Sequence, residues 1–144
     1  MVSRIENQLG TNFSDSPRSG AAGGLGYGIR TFLGGKLCGG FDFFAESAKL
    51  RDHVQDADLV ITGEGKLDRQ TLEGKGPFGV AAMARQCGKL VIAIAGVIED
   101  AEHVSMHFTK MAALVDQETS LEHALRDPQR VLYARVRSVL ANIG

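Results

Sequence analysis

Two carboxylates and two cations crowd the stretch Gly63-Glu64-Gly65-Lys66-Leu67-Asp68-Arg69, directly after the apolar run Leu59-Val60-Ile61-Thr62. A short continuous apolar run bounded by turn residues is the pattern of a strand covered on both faces. The strand is expected to end at Thr62, which puts Glu64, Lys66 and Asp68 in a glycine-flanked loop at its carboxyl end. In an open parallel sheet that is where ligands bind. Carboxylates at such a mouth can hold a divalent cation or take and orient the proton of an attacking hydroxyl. The structural alternative is that Asp68 caps a turn and Glu64 is a solvated rim charge. Lys66 either acts as a positioned point charge on an oxyanion or is one more surface lysine.

A second polar cluster, Gly74-Lys75-Gly76-Pro77, opens the next helical stretch. Gly74 and Gly76 permit close backbone approach, Pro77 suits a first helical turn, and a helix N-terminus attracts anions, so Lys75 is a candidate for phosphate or carboxylate binding. The cluster is not a Walker A loop, because Gly76 stands where Ser or Thr is required. The block Gly20-Ala21-Ala22-Gly23-Gly24-Leu25-Gly26-Tyr27-Gly28 is not a dinucleotide fingerprint either. No strand precedes it and Ile29 takes the place of the last glycine. Gly23 and Gly24 read either as a close approach to substrate or phosphate, or as tight helix packing. His103 and His107 lack a zincin pattern and read as surface residues, and His53 and His123 have no visible partners. Cys38 and Cys87 form no CxxC and read as buried or bystander thiols in a reducing compartment.

The elements that must position these residues begin with two turns at helical spacing, Val2, Ile5 and Leu9, that have no starting cap. A helix through Leu25, Ile29, Phe32 and Leu33 is expected to end at Gly34-Gly35, and another runs over Phe41–Ala48. Strand Leu59–Thr62, helix Phe78–Cys87, strand Leu90–Ala95, a short helix near Glu102–Phe108 and strand Ala112–Val115 then alternate. Thr119 with Glu122 reads as a capping box, and Asp127-Pro128 starts a last helix striped by Leu132, Val136, Val139, Leu140 and Ile143. The fold class is α/β: a parallel, three-layer sheet, an incomplete Rossmann-like or flavodoxin-like half, preceded by a helical segment. The expected division is 1–55, glycine-rich and helical, and 56–144, βαβαβα. The strand ends of Leu59–Thr62 and Leu90–Ala95 are expected side by side.

With 144 residues, 44% hydrophobic, 23% charged and a net charge of −1, the chain has material for one core and lacks the basic footprint of nucleic-acid binding. No run approaches the ~18 apolar residues of a membrane span, and a cytoplasmic location is the default. Three strands are few for a parallel sheet, and a bare edge is a liability. A homo-oligomer, or pairing with an N-terminal half, is therefore expected.

The blocks Gly20–Gly28, Ala57–Asp68, Gln70–Ala81 and Val91–Gly96 resemble, in order and spacing, the C-terminal part of the bacterial type-1 glycerate kinases. The resemblance covers about Glu6 to Gly96, with Lys66 where the family usually has Arg and Val97 where it usually has Ser. It implies transfer of the γ-phosphoryl group of ATP to D-glycerate, with Mg²⁺, giving 2-phosphoglycerate. Glu64 and Asp68 would then be catalytic or Mg²⁺-binding, and Lys66, Lys75, Gly63, Gly65, Gly74, Gly76, Gly23 and Gly24 would line substrate and phosphate. It also implies a C-terminal portion of a two-domain enzyme, inactive by itself, with 1–55 as the end of the family's second domain. Two other readings of the same residues are a non-catalytic module that binds a nucleotide or anion, and a structural or oligomerising unit.

Overall fold

The structure, a computed structural model, describes residues 1–69 and 76–143. The chain divides into two compact units, Met1–Phe44 and Ala45–Gly144.

In the first unit, α1 (Val2–Leu9) ends at Gly10, whose φ of 64° is left-handed and cheap only for glycine. The Glu6 carboxylate accepts from the amide and the hydroxyl of Ser14 at 2.7 and 2.9 Å, which ties the next turn to α1. The second helix, α2 (Ala21–Leu33), opens differently from the sequence reading. Ala22, Gly23 and Gly24 take φ of 51°, 67° and 97°, so regular helix starts only at Leu25. The left-handed turn brings the Ser19 carbonyl within 2.9 Å of the Tyr27 amide. It also carries the 18–19 backbone so close to Gly26 that a Cβ there would lie 2.6 Å from the Arg18 carbonyl oxygen. Gly26 and Tyr27 are therefore the buried residues of α2, and the stripe Leu25, Ile29, Phe32, Leu33 is exposed. Gly34 closes the helix as expected, and α3 (Gly40–Ser47) buries Ala45. Cys38 is exposed rather than buried.

The second unit runs α4 (Leu50–Asp56), β1 (Leu59–Leu67), α5 (Gly76–Gln86), β2 (Leu90–Ile98), α6 (Ala101–Val104), β3 (Lys110–Ala113), α7 (Leu121–Arg126) and α8 (Pro128–Leu140). The strands lie in the order β1-β2-β3 with both pairs parallel, which is the expected α/β arrangement. Two boundaries move. β1 continues past Thr62 to Leu67 and β2 past Ala95 to Ile98, because the pairing that starts at Leu59↔Leu90 is carried on to Lys66↔Val97 and Leu67↔Ile98. The glycines that read as strand breakers are inside the ladder.

α5 packs on one face of β1 and β2. Ala81 and Ala84, both fully buried, let it approach closely over Val60, Val91, Ala93 and Ala95. α8 packs on β3, and its Leu132 and Val136 line a cavity of about 430 Å³ with residues 61–64 of β1 and 94–96 of β2. Helix, sheet and helix thus form three layers. The expected stripe of α8 is only partly right: Val131, outside it, is the buried residue, while Leu132 and Leu140 are exposed. Leu132 faces the cavity over β1 instead of a packed neighbour.

Local chemistry sets the helix starts. Ser120 Oγ, not Thr119, accepts from the His123 amide at 3.2 Å and caps α7, while the Thr119 amide donates to Asp116 Oδ1 at 2.8 Å in the preceding turn. Asp127 accepts from the Arg130 amide ahead of α8, with Pro128 in the first turn, as read from the sequence. Gly88, at φ 68°, ends α5, and the Lys89 amide reaches back to the Ala84 carbonyl at 2.8 Å.

Two outcomes follow from this packing. Leu67 is fully buried and Ile61 is 49% exposed, so Leu67→Ala is expected to cost about 2–5 kcal/mol in urea unfolding and Ile61→Ala less than half of that. The Asp116 carboxyl is held below its ordinary value by the Thr119 amide first, then by Arg135 and the Glu118 amide. Its contribution is present above the ordinary 3.8 and is lost as pH falls through the depressed value. Asp116→Asn is therefore expected to lower the urea midpoint near neutrality and to converge on the wild type as pH falls from 3.8 through the depressed value.

Candidate functional site

β1 and β2 deliver the candidate residues because the ladder holds to their carboxyl ends. Glu64 pairs in register with Ala95 and Lys66 with Val97, and Glu64 lines the cavity under α8 together with Thr62, Gly63 and Gly96. Only Asp68 of the expected trio lies beyond the strand. The two strands converge here to a spacing that excludes side chains. A Cβ on Gly63 would sit 2.5 Å from the Ile94 carbonyl oxygen, and one on Gly96 2.5 Å from that of Gly65.

Glu64 is half-buried, and its Oε2 has no hydrogen-bond partner among the described residues. A buried carboxylate oxygen without a donor is costly, and a hydroxyl or a cation arriving at the strand ends would relieve it. Lys66 is already engaged: its Nζ is 2.8 Å from Glu99 Oε2 and 3.5 Å from Asp68 Oδ2. The hydrogen bond with Glu99 first, and the negative charges of Glu99 and Asp68 with it, hold Lys66 above its ordinary 10.5 despite some desolvation. Beyond it, Arg69 Nε is 3.5 Å from Asp100 Oδ2, and the guanidinium is 3.1 and 3.2 Å from the two ring nitrogens of His103. The Glu99 amide donates to the Leu67 carbonyl at 2.8 Å, which ties the exit of β2 to that of β1.

Glu99, Asp100 and His103 escaped the sequence reading as site residues. The signal was available, since Glu99 and Asp100 directly follow the second apolar run just as Glu64 follows the first, and strand ends are where α/β sites gather. With Glu64 and Asp68 they give the mouth four carboxylates against the two cations Lys66 and Arg69. Among the described residues no group of three His, Cys, Asp or Glu stands close enough to hold a metal by itself. Two carboxylates suit Mg²⁺ all the same, because that ion usually keeps several waters and takes one or two protein carboxylates beside substrate phosphates.

The structure brings Gly63, Glu64, Gly65, Lys66 and Asp68 together at the end of β1. Gly76 is the first residue of α5, with Pro77 buried behind it. Gly74 and Lys75 lie outside the described residues. Gly23 and Gly24 form the left-handed turn in the other compact unit. Among the described residues no helix is long and apolar enough to cross a membrane.

A parallel helix–sheet–helix unit with polar groups gathered at its strand ends defines an α/β protein built to handle small molecules. The model described as "Glycerate kinase family" matches residues 1–144, and the chain belongs to that family. It is 42% identical over 137 residues to a glycerate kinase of Halalkalibacterium halodurans, covering 94% of this chain and 36% of the relative. A glycerate kinase of Bacillus subtilis is 41% identical, with 96% and 37% covered. A glycerate 2-kinase of Escherichia coli is 43% identical over 96 residues, 67% of this chain and 25% of the relative. A crystal structure from Salmonella typhimurium LT2, assigned to glycerate kinase 2, matches with a TM-score of 0.57 at 32% identity, covering 90% of this chain and 36% of that one. The chain thus spans about a third of the length of the curated relatives it matches.

The convergence of the strands makes a contrast that can be measured. Gly96→Ala must push a methyl into the Gly65 carbonyl, whereas Gly65→Ala meets nothing within 4 Å, so the first is expected to cost about 1–3 kcal/mol and the second under about 1. In the ion pair, Glu99→Gln is expected to bring Lys66 down towards 10.5 by removing the largest cause of its rise. NMR titration of the Lys66 side chain reads this, and an unchanged midpoint would show that Glu99 is not its partner.

Proposed function

We propose that this chain supplies the strand-end part of a glycerate kinase site, acting in transfer of the γ-phosphoryl group of ATP to D-glycerate to give 2-phosphoglycerate. The observation that carries the reading is Glu64. Its half-buried carboxylate, with one oxygen unpartnered among the described residues, stands in the carboxyl-terminal half of a parallel strand pair in a chain that the family model matches over residues 1–144.

In this reading the Glu64 carboxylate accepts the hydrogen bond of the substrate hydroxyl and orients it for attack on the phosphoryl group. Asp68 or Glu64 is the carboxylate that would hold Mg²⁺, which when bound neutralises charge on the transferred phosphate. Lys66 keeps the Asp68 carboxylate in place through the contact at 3.5 Å and, shared with Glu99, presents its remaining charge to the substrate carboxylate. Gly63 and Gly65 give a bare strand surface that a ligand can approach closely. Gly76, at the start of the eleven-residue α5, puts backbone amides and the positive end of the helix dipole toward a phosphate, with Gly74 and Lys75 as the preceding contacts. Gly23 and Gly24, in the other compact unit, are assigned a close approach to substrate or phosphate by the family resemblance alone. Residues 1–55 correspond in this reading to the end of the family's second domain, and 56–144 to the C-terminal portion of its Rossmann-like domain.

We further propose a cytoplasmic location and association as a homo-oligomer or with further chain of the family. The support is β1, an edge strand with Ile61 half-exposed beside the cavity under Leu132.

Calorimetry and a coupled phosphoglycerate assay test the function together. MgATP or D-glycerate is expected to bind the chain, and Glu64→Gln or Asp68→Asn to weaken that binding at least tenfold, about 1.4 kcal/mol. Turnover of about 1–100 per second, ordinary for kinases, is not expected of the chain by itself, because in-line positioning needs groups from the rest of the relatives' length. Binding of neither ligand, or binding unaffected by both substitutions, would remove the site assignment.

A further inference from the structure

A second cavity lies away from the strand ends, between the turn at Glu118-Thr119, α7 and α8. It encloses about 390 Å³ and is lined by Glu118, Thr119, His123, Arg130, Arg135 and Ser138. Val131 and Ala134 complete the lining.

The lining is chemically divided. Arg135 is already committed to Asp116, and that pair, with the Asp116 carboxylate accepting from the Glu118 and Thr119 amides at 3.0 and 2.8 Å, makes a stiff wall. The Arg130 guanidinium, the His123 ring, the Ser138 hydroxyl and the Glu118 carboxylate have no partners among the described residues. α8 carries Arg130, Arg135 and Arg137 and no acidic residue over its thirteen positions. A guanidinium with no carboxylate of its own is a fork for an oxyanion. The free carboxylate of Glu118 in the same lining repels a bare anion and asks for a hydroxyl donor, and Ser138 and Thr119 can pair with further hydroxyls. The cavity is of a size for a small molecule.

We propose that this cavity binds a small hydroxylated anion, a polyol phosphate or a hydroxy acid, with its oxyanion on Arg130 and His123 and a hydroxyl donated to Glu118. The site is distinct from the strand ends, since no residue of its lining belongs to β1 or β2.

The test is a titration of the ¹⁵N-labelled chain by NMR with glycerol 3-phosphate, inorganic phosphate, glycerol and sodium chloride as separate probes. Saturable shifts at the Arg130 Nε, His123 and Ser138 signals are expected with glycerol 3-phosphate, weaker ones with phosphate, and none with glycerol or chloride. Arg130→Gln is expected to weaken glycerol 3-phosphate at least tenfold. Glu118→Gln is expected to narrow its preference over inorganic phosphate, because the carboxylate that rejects the bare anion is gone. Both residues are exposed, and spectra of the variants outside the cavity establish that they fold as the wild type does. Three results would overturn the proposal: no saturable shift with either phosphate, the same affinity in Arg130→Gln, or shifts confined to the strand-end residues Gly63–Asp68.

Discussion

The parallel ladder between β1 and β2 is the constraint on which the site depends. It runs from Leu59↔Leu90 to Leu67↔Ile98, and its last turns are possible only because Gly63 and Gly96 leave no side chain where the neighbouring carbonyl passes. In most sheets glycine weakens a strand. Here it lets two backbones converge, and the convergence extends pairing to the point where Lys66 meets Glu99. Remove the ladder and Glu64, Lys66, Asp68 and Glu99 are four unrelated polar residues on two segments of chain.

The electrostatics of the mouth come from the same arrangement. Lys66 spans the exits of both strands and is held there by Glu99 and Asp68, while the Glu99 amide closes on the Leu67 carbonyl. An exposed pair of this kind contributes little to stability. Its consequence is positional: a cation is fixed two residues from a half-buried carboxylate whose Oε2 has no partner among the described residues. The α8 cavity likewise has an exposed guanidinium and an exposed carboxylate in one lining, beside the Asp116–Arg135 pair.

The order of elements and the parallel class were legible because the apolar runs Leu59–Thr62 and Leu90–Ala95 are continuous and are separated by a helical pattern ending in Gly88. Caps were legible where a single residue does the work, as at Gly34, Gly88 and Asp127. They failed by one residue where two neighbours compete, since Thr119 and Ser120 carry the same capping hydroxyl and the residue at which the helix begins decides between them. Strand ends were misread because Gly63, Gly65 and Gly96 carry the local signature of a turn, and only a second strand at the right distance turns that signature into close pairing.

By itself the sequence determined the α/β alternation, the family, and the chemistry available at Glu64, Lys66 and Asp68, since these depend on residue type and on spacing along one segment. The tertiary structure decided the rest. It placed Glu99, Asp100 and His103 beside residues some thirty positions earlier, it showed Lys66 engaged rather than free, and it exposed the apolar stripe of α2 while burying Tyr27. It also set Arg130 and Glu118 across one cavity. Each of these is a contact between segments far apart in the chain, fixed by which backbones can approach, and no pattern within a single segment encodes that.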